Sequence, residues 1–329
     1  MAQITLAFIG DVMLGRGVNK EIPIRTPESF WGNTLPVLRS ADAVIANLEC
    51  AITGHNIRWS KTPKVFYFRA DPPAVDVLRA ANVQCVSLAN NHTLDYEEEG
   101  LLNTLDYLDA AGIRHIGAGR NLAEAEAPVV IDVAGLKVGI AAFTDNEPPF
   151  AAATDRPGTN YMDIIPDPQT LSRVERAVEQ VRKNGAELVV LSLHWGPNMV
   201  LRPPVVFRAF AAAAMDLGVD LIYGHSAHIF QGVQLYDKRL IMYDTGDFID
   251  DYAIDQELRN DWSFIFLLEA DSEGLRKLRM VPVRLRYARV DLATGAEFQA
   301  IRDRMRLLCR ELGTPVLDTE EGLEVVISP

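Results

Sequence analysis

The chain has 329 residues, 48% of them hydrophobic and 23% charged, which is the texture of a folded globular protein with room for one large domain or two modest ones. Forty-five acidic residues against 32 basic ones leave a net charge of −13, which excludes a general nucleic-acid binder but leaves room for an anionic small molecule held by a local cation. Three cysteines without paired spacing exclude a disulfide framework and point to a reducing compartment, with Cys50 and Cys85 read as packed free thiols.

Met1 to Thr5 runs directly into a strand pattern with no basic leader, and the most apolar helical stretch, Phe207 to Met215, is too short to span a bilayer. A cytoplasmic protein without a membrane span is expected. From there the chain alternates. Ile4 to Ile9 forms a strand pattern that turns out through Gly10-Asp11-Val-Met-Leu-Gly15-Arg16. A helix through Leu35 to Ser40 precedes Ala43-Val-Ile-Ala-Asn47-Leu-Glu49, which repeats the pattern. Residues 56–69 carry Arg58, Lys61, Lys64 and Arg69 with no acidic residue, interleaved with Trp59, Phe66, Tyr67 and Phe68. The stretch admits two readings: a surface that holds an anion, since guanidinium binds phosphate and carboxylate bidentately, or an amphipathic edge strand over Val65 to Arg69. A helix around Asp76 to Ala81 leads to the strand Cys85 to Ala89 and then to Asn90-Asn91-His92-Thr-Leu-Asp95.

Leu101, Leu102, Leu105 and Leu108 set a helical stripe within Glu97 to Ala111, stopped by Gly112. Val129 to Val133 and Val138 to Phe143 flank Gly135 as a hairpin. Five prolines between 148 and 168 predict a long loop placed to serve as lid or rim. A helix from Leu171 to Lys183 ends at Asn184-Gly185, and the strand Leu188 to Leu193 delivers His194. A helix bracketed by Pro203-Pro204 and Gly218 leads to the strand Asp220 to Tyr223, which delivers His225 and His228. Leu240 to Tyr243 then delivers Asp244-Thr-Gly246-Asp247. Beyond Asp261 the texture turns β-rich, with strands over Phe264 to Glu269, Val281 to Tyr287 and Leu323 to Ile327, and one helix over Phe298 to Leu312. This order predicts an α/β fold of layered sheets in a single domain over 1–329, with a motif-bearing part 4–250 and a β-rich part 262–329.

Ligands in open α/β sheets gather at the carboxyl ends of strands, and three of the six histidines stand at two such ends. Asp11, Glu49, Asn91, His194, His225 and His228 together offer carboxylate, amide oxygen and imidazole, the donor set of one or two divalent metal ions such as Mn, Zn, Fe or Mg. His92 is placed to donate a proton to a leaving group, with Asp95 as its orienting partner. Arg16 and Asn47 are the expected substrate contacts. His55 and His115 are read as surface or loop residues. The turn at Asp244 and Asp247 is open between further metal ligands and a solvated acidic loop.

The ordered set Gly10-Asp11-Val-Met-Leu-Gly-Arg16, Asn47-Leu-Glu49, Asn90-Asn91-His92-Thr-Leu-Asp95, His194-Trp-Gly and Gly224-His225-Ser-Ala-His228 resembles the bacterial capsule-synthesis protein A (CapA, poly-γ-glutamate synthesis) family of the calcineurin-like metallophosphoesterase superfamily. The resemblance spans roughly residues 4 to 250. It implies a sandwich of two β-sheets flanked by helices, with Asp11, Glu49, Asn91, His194 and His228 as ligands and His92 as the acid. Departures are Met13, where many superfamily members have histidine, Glu49 as the nearest bridging carboxylate where aspartate is usual, and Ser226-Ala-His228 in place of His-x-His. The expected activity is metal-dependent hydrolysis, a phosphoesterase acting on a small anionic substrate. The alternative is an accessory role in poly-γ-glutamate synthesis, either cleaving a γ-glutamyl amide or binding the polymer without catalysis.

Overall fold

The computed structural model describes residues 3–327. Its strands follow the apolar runs. Four of them, Ile4–Val12, Ala43–Leu48, Val83–Ser87 and Arg114–Ile116, lie parallel in the first sheet, and the central ones are buried along nearly their whole length. This is the condition that selects near-continuous hydrophobic strands. The β-rich tail does not stand apart from them. Trp262–Asp271 pairs antiparallel with Ile4–Val12, Gly274–Arg286 pairs with it in turn, and Leu323–Val326 lies beyond. The second sheet has Leu136–Thr144, Leu188–His194, Leu221–His225 and Arg239–Met242 in parallel, with Val129–Val133 and Val233–Tyr236 antiparallel at its edges.

Side-chain alternation assembles four layers. Leu6 and Phe8 on one sheet, with Ile140, Val190 and Tyr223 on the other, fill the space between the sheets. Ala7, Ile9, Val44 and Val86 face outward onto the helices Ala74–Ala80 and Glu97–Ala110. Ala141, Val189, Leu191 and Ile222 face outward onto the helices Pro168–Lys183 and Val205–Asp216. The expected sandwich of two sheets flanked by helices is thus present, because the central strands alternate between two buried environments.

Several local expectations shift. The strand after Gly218 runs to His225, so that histidine is part of the sheet and not of the following loop. Val65 to Phe68 are not a strand: only Arg69–Ala70 pairs, with Ala51–Ile52, and the preceding loop is held by side-chain contacts instead. The hairpin between the strands at 129–133 and 136–144 turns at Ala134 and Gly135 with φ of 48° and 93°, the primed turn that matches strand twist. His115 lies in the strand Arg114–Ile116 beside Asp109, and His55 lies in a loop beside Glu99. No described helix is long and apolar enough to cross a membrane. Cys50, Cys85 and Cys309 are free and buried, and burial pushes each thiol up to about 12.

Candidate metal centre and cleft

The parallel strands of both sheets end at one edge of the sandwich. Register sets Asp11 beside Asn47 on one side and beside Asp247 on the other, while His194 aligns with His225 in the facing sheet. Close backbone approach makes this possible. The Asp11 amide donates to the carbonyl of Gly246 at 2.8 Å, and a Cβ on Gly10 would lie 1.9 Å from that oxygen. Only glycine fits there.

Two groups of ligand-type atoms result, one of Asp11, His194 and His225, the other of Asp11, Glu49, His228 and Asp247. Asp11 is common to both groups, and Glu49 belongs to one of them. Asp11 Oδ2 lies 3.7 Å from His228 Nδ1, and Asp11 Oδ1 lies 4.0 Å from His225 Nδ1. Glu49 Oε1 lies 4.0 Å from His228 Nε2, while Glu49 Oε2 accepts from the Tyr252 hydroxyl at 3.1 Å. His228 Nδ1 is 2.8 Å from Asp247 Oδ1, and the two His194 and His225 Nδ1 atoms are 2.9 Å apart. Asn91 Oδ1 lies 2.9 Å from His194 Nε2. Neighbouring ligands of an octahedral ion at about 2.1 Å are separated by about 3 Å, so this pair is spaced for one ion.

His92 occupies the adjoining wall. Its Nδ1 is 2.6 Å from Asp95 Oδ2, its Nε2 is 3.9 Å from Glu49 Oε1, and Phe68 stacks on its ring with centroids 3.9 Å apart. Asp95 also accepts from the Phe68 amide at 2.6 Å and faces the Lys64 ammonium at 3.3 Å. Lys64 donates in addition to the Asn91 carbonyl at 2.6 Å and to Glu147 at 3.2 Å. One side chain therefore anchors the irregular loop over both the Asn91 turn and the His92–Asp95 pair.

Charge and burial are in tension here. Burial pushes the Asp11 carboxyl well above the usual range against the pull of His228, and it does the same for Glu49, where Asp11 adds to the rise. Burial and Asp250 raise Asp247, and burial takes Asp244 to about 7 and Asp250 to about 6. Burial, with His225 adding, lowers His194 well below its ordinary value, and burial takes His225 to about 3, so both present neutral nitrogens. His228 moves the other way: burial lowers it, but the Glu49 and Asp11 carboxylates outweigh burial. Asp11 Oδ2, Glu49 Oε1, Asp247 Oδ2 and Asp250 Oδ2 are buried with no hydrogen-bond donor among the described residues. Orphaned buried carboxylate oxygens are costly alone and, with the neutral nitrogens of His194 and His225 close by, are satisfied by a divalent cation, so the donor set fits one.

Asp11, Glu49, Asn91, His92, Asp95, His194, His225 and His228 are thus all brought to one locus. Arg16 stands at the rim, its Nε 3.3 Å from Asp251 and its guanidinium 5.7 Å from the Phe68 ring centroid. Asn47 differs from expectation. It is fully buried, donates to Asp11 Oδ1 at 2.8 Å and accepts from Asn90 at 3.0 Å, so it positions Asp11 and does not face the cleft. The acidic turn is not a solvated loop either. Asp247 joins the ligand atoms, and Asp244, 2% exposed, accepts from the Ala227 and Gly246 amides at 2.7 and 2.8 Å and shapes the loop that carries His228. That loop holds Ser226 at φ 119° and His228 at φ 60°, strain of the kind kept at functional sites. Sequence reasoning missed Tyr252, which follows the acidic turn by five residues and gave no pattern of its own.

A cleft of about 740 Å³ opens over this centre, walled by Arg16, Lys64, Phe68, His92, His228 and Tyr252, with Glu147 from the proline-rich loop on its rim.

The model of the bacterial capsule synthesis protein PGA_cap family matches residues 5–252. The chain is 29% identical over 369 residues to a probable polyglutamine synthesis accessory protein of Mycobacterium tuberculosis, with 98% of this chain and 96% of that protein covered. It is 29% identical over 251 residues to the capsule biosynthesis protein CapA of Bacillus anthracis, covering 76% of this chain and 60% of that protein. Among solved structures, the sulfate thiohydrolase SoxB of Thermus thermophilus aligns with 93% of this chain and 61% of its own at a TM-score of 0.48 and 11% identity. A 5'-nucleotidase of Candida albicans aligns with 96% and 59% at a TM-score of 0.45 and 11% identity.

Proposed function

The chain belongs to the bacterial capsule synthesis protein PGA_cap family, and we propose that it is a metal-dependent hydrolase that cleaves a phosphate ester of an anionic substrate. The observation that carries this reading is the pairing of a cation-demanding cluster with a proton-transfer dyad. The orphaned oxygens of Asp11, Glu49 and Asp247 lie beside His228, and His92 Nε2 sits 3.9 Å from Glu49 Oε1.

Asp11, Glu49, Asp247, Asn91, His194, His225 and His228 are the residues that would hold the metal. A divalent cation bound there polarises the scissile group and makes water a stronger nucleophile at neutral pH. The chain's own residues do the rest. Asp95 takes the Nδ1 side of His92 and so leaves Nε2 directed at the cleft. Water adds to phosphorus, the bond from phosphorus to the ester oxygen breaks, and that oxygen takes its proton from His92 Nε2. Burial lowers the His92 pKa more than Asp95 raises it, so a proton on Nε2 is readily given to the leaving oxygen, and the ring recovers a proton from the attacking water. Arg16 at the rim holds the anionic group.

A second reading follows from the Mycobacterium tuberculosis relative, a probable polyglutamine synthesis accessory protein: the same site would then cleave a γ-glutamyl amide or bind polymer. Metal-stripped protein reloaded with Mn²⁺ or Zn²⁺ and assayed on an aryl phosphate separates the two, with metal content measured alongside. Activity restored by metal and lost in His92→Ala and His194→Ala supports the phosphoesterase. Stoichiometric metal without ester hydrolysis favours the second reading, and no metal uptake refutes metal-dependent hydrolysis of either bond.

A further inference from the structure

Resting on the metal-dependent reading, we infer that Tyr252 is a positioning residue of the centre, whose hydroxyl fixes which oxygen of Glu49 is presented to the ion. The Tyr252 hydroxyl donates to Glu49 Oε2 at 3.1 Å, while Glu49 Oε1 is buried with no donor among the described residues. The free oxygen is the one that faces the chemistry, 4.0 Å from His228 Nε2 and 3.9 Å from His92 Nε2.

Glu49 needs such a hold. The last torsion of a glutamate is broad and two-fold, so packing around the stem does not decide where each oxygen points. The neighbouring carboxylates are held in the same manner. Asn47 donates to Asp11 Oδ1, and His228 Nδ1 sits 2.8 Å from Asp247 Oδ1. The other oxygen of each, Oδ2, is buried with no donor among the described residues. Three carboxylates thus each give one oxygen to a protein partner and keep the other for a cation. For Glu49 that partner is a residue outside the sequence motifs. Groups that orient a metal ligand in this way set its affinity as well as its direction.

The backbone explains how Tyr252 arrives there. Asp247–Ile249 pairs beside Asp11 and Val12, and the chain then runs along the cleft, where Asp250 accepts from the Tyr252 amide and Asp251 from the Gly17 amide, both at 2.9 Å. The Tyr252 ring lies nearly perpendicular to the His228 ring, with centroids 5.4 Å apart, and 5.6 Å from Phe68, so it walls the cleft. Phenylalanine at this position keeps those ring contacts and removes only the hydroxyl.

The test is calorimetric titration of metal-free protein with Mn²⁺, in wild type, Tyr252→Phe, Glu49→Asp and the double variant. Tyr252→Phe is expected to raise the Mn²⁺ Kd about tenfold, the scale on which loss of a ligand's partner weakens a metal site. Glu49→Asp, one methylene shorter, draws its carboxylate away from the hydroxyl, so adding Tyr252→Phe to it is expected to change the Kd by less than about twofold. An unchanged Kd in Tyr252→Phe, even with a lower urea midpoint, marks a merely structural tyrosine and overturns the inference. A second loss of about tenfold in the double variant overturns it too, since the effect would then not pass through Glu49. In both cases metal binding by the wild type stands. No Mn²⁺ uptake by the wild type overturns the metal-dependent reading, and the inference with it.

Discussion

Asp244→Asn is the substitution whose outcome the structure specifies most closely. Asp244 is buried and accepts from Ala227 N and Gly246 N, one on each oxygen. Burial raises its carboxyl from 3.8 to about 7. A folded carboxyl with a raised pKa contributes stability that is complete below the unfolded value and is lost as pH rises to the folded one. Between about pH 5 and pH 7 the folded protein thus keeps a proton that the unfolded chain has released. At 1.36 kcal/mol per pH unit, that window removes about 3 kcal/mol from the metal-free wild type. Asparagine does not titrate, so the variant escapes this loss. It forfeits one of the two backbone hydrogen bonds, at about 1–3 kcal/mol, a cost independent of pH. Urea unfolding of metal-free wild type and variant at about pH 5 and about pH 8 measures both effects. The expected result is a variant less stable at pH 5 that gains about 3 kcal/mol on wild type by pH 8. Parallel profiles, moving by less than about 1 kcal/mol relative to each other, would refute the assignment of the raised pKa to Asp244.

Three further outcomes follow from the geometry. Asn90 donates to Asn47 Oδ1 and Leu48 O and accepts from His92 N and Thr93 Oγ1; Asn90→Ala is expected to cost about 2–4 kcal/mol in chemical denaturation and to lower metal content by displacing the Asn91–His92 turn. Saturating Mn²⁺ at about 100 times its Kd is expected to stabilise the wild type by about 2.7 kcal/mol in a thermal melt, whereas Asp247→Ala, missing one member of the ligand group, gains less than half of that. Gly10→Ala drives a methyl into the Gly246 carbonyl, at 1.9 Å, and is expected to lower stability by about 3 kcal/mol or more, read as a drop in the urea midpoint, while Gly54→Ala, with open space around it, leaves the midpoint within about 0.5 kcal/mol of wild type.

Some of this protein is written locally and some is not. Apolar runs that lead to Asp11, Asn91, His194 and His225 identify parallel strands and their chemically equipped ends, because burial on both faces is a property of a single strand. The helix over Glu97–Ala110 and its stop at Gly112 are local in the same sense. Which strand ends meet is a matter of sheet order. Asp247 becomes a ligand candidate because its short strand docks beside Asp11, more than two hundred residues earlier, and Tyr252 reaches Glu49 by the same route. Asn47 shares a motif with Glu49 but turns inward, since the two are separated by an even step only until the strand ends at Leu48 and the backbone leaves the sheet. The loop before Arg69 carries no hydrophobic period, and its course is decided by Lys64 finding Asp95, Asn91 and Glu147. Sequence pattern reports how deeply each segment is buried, whereas a binding site is a meeting of segments, and only packing of the two sheets brings those segments within hydrogen-bonding distance.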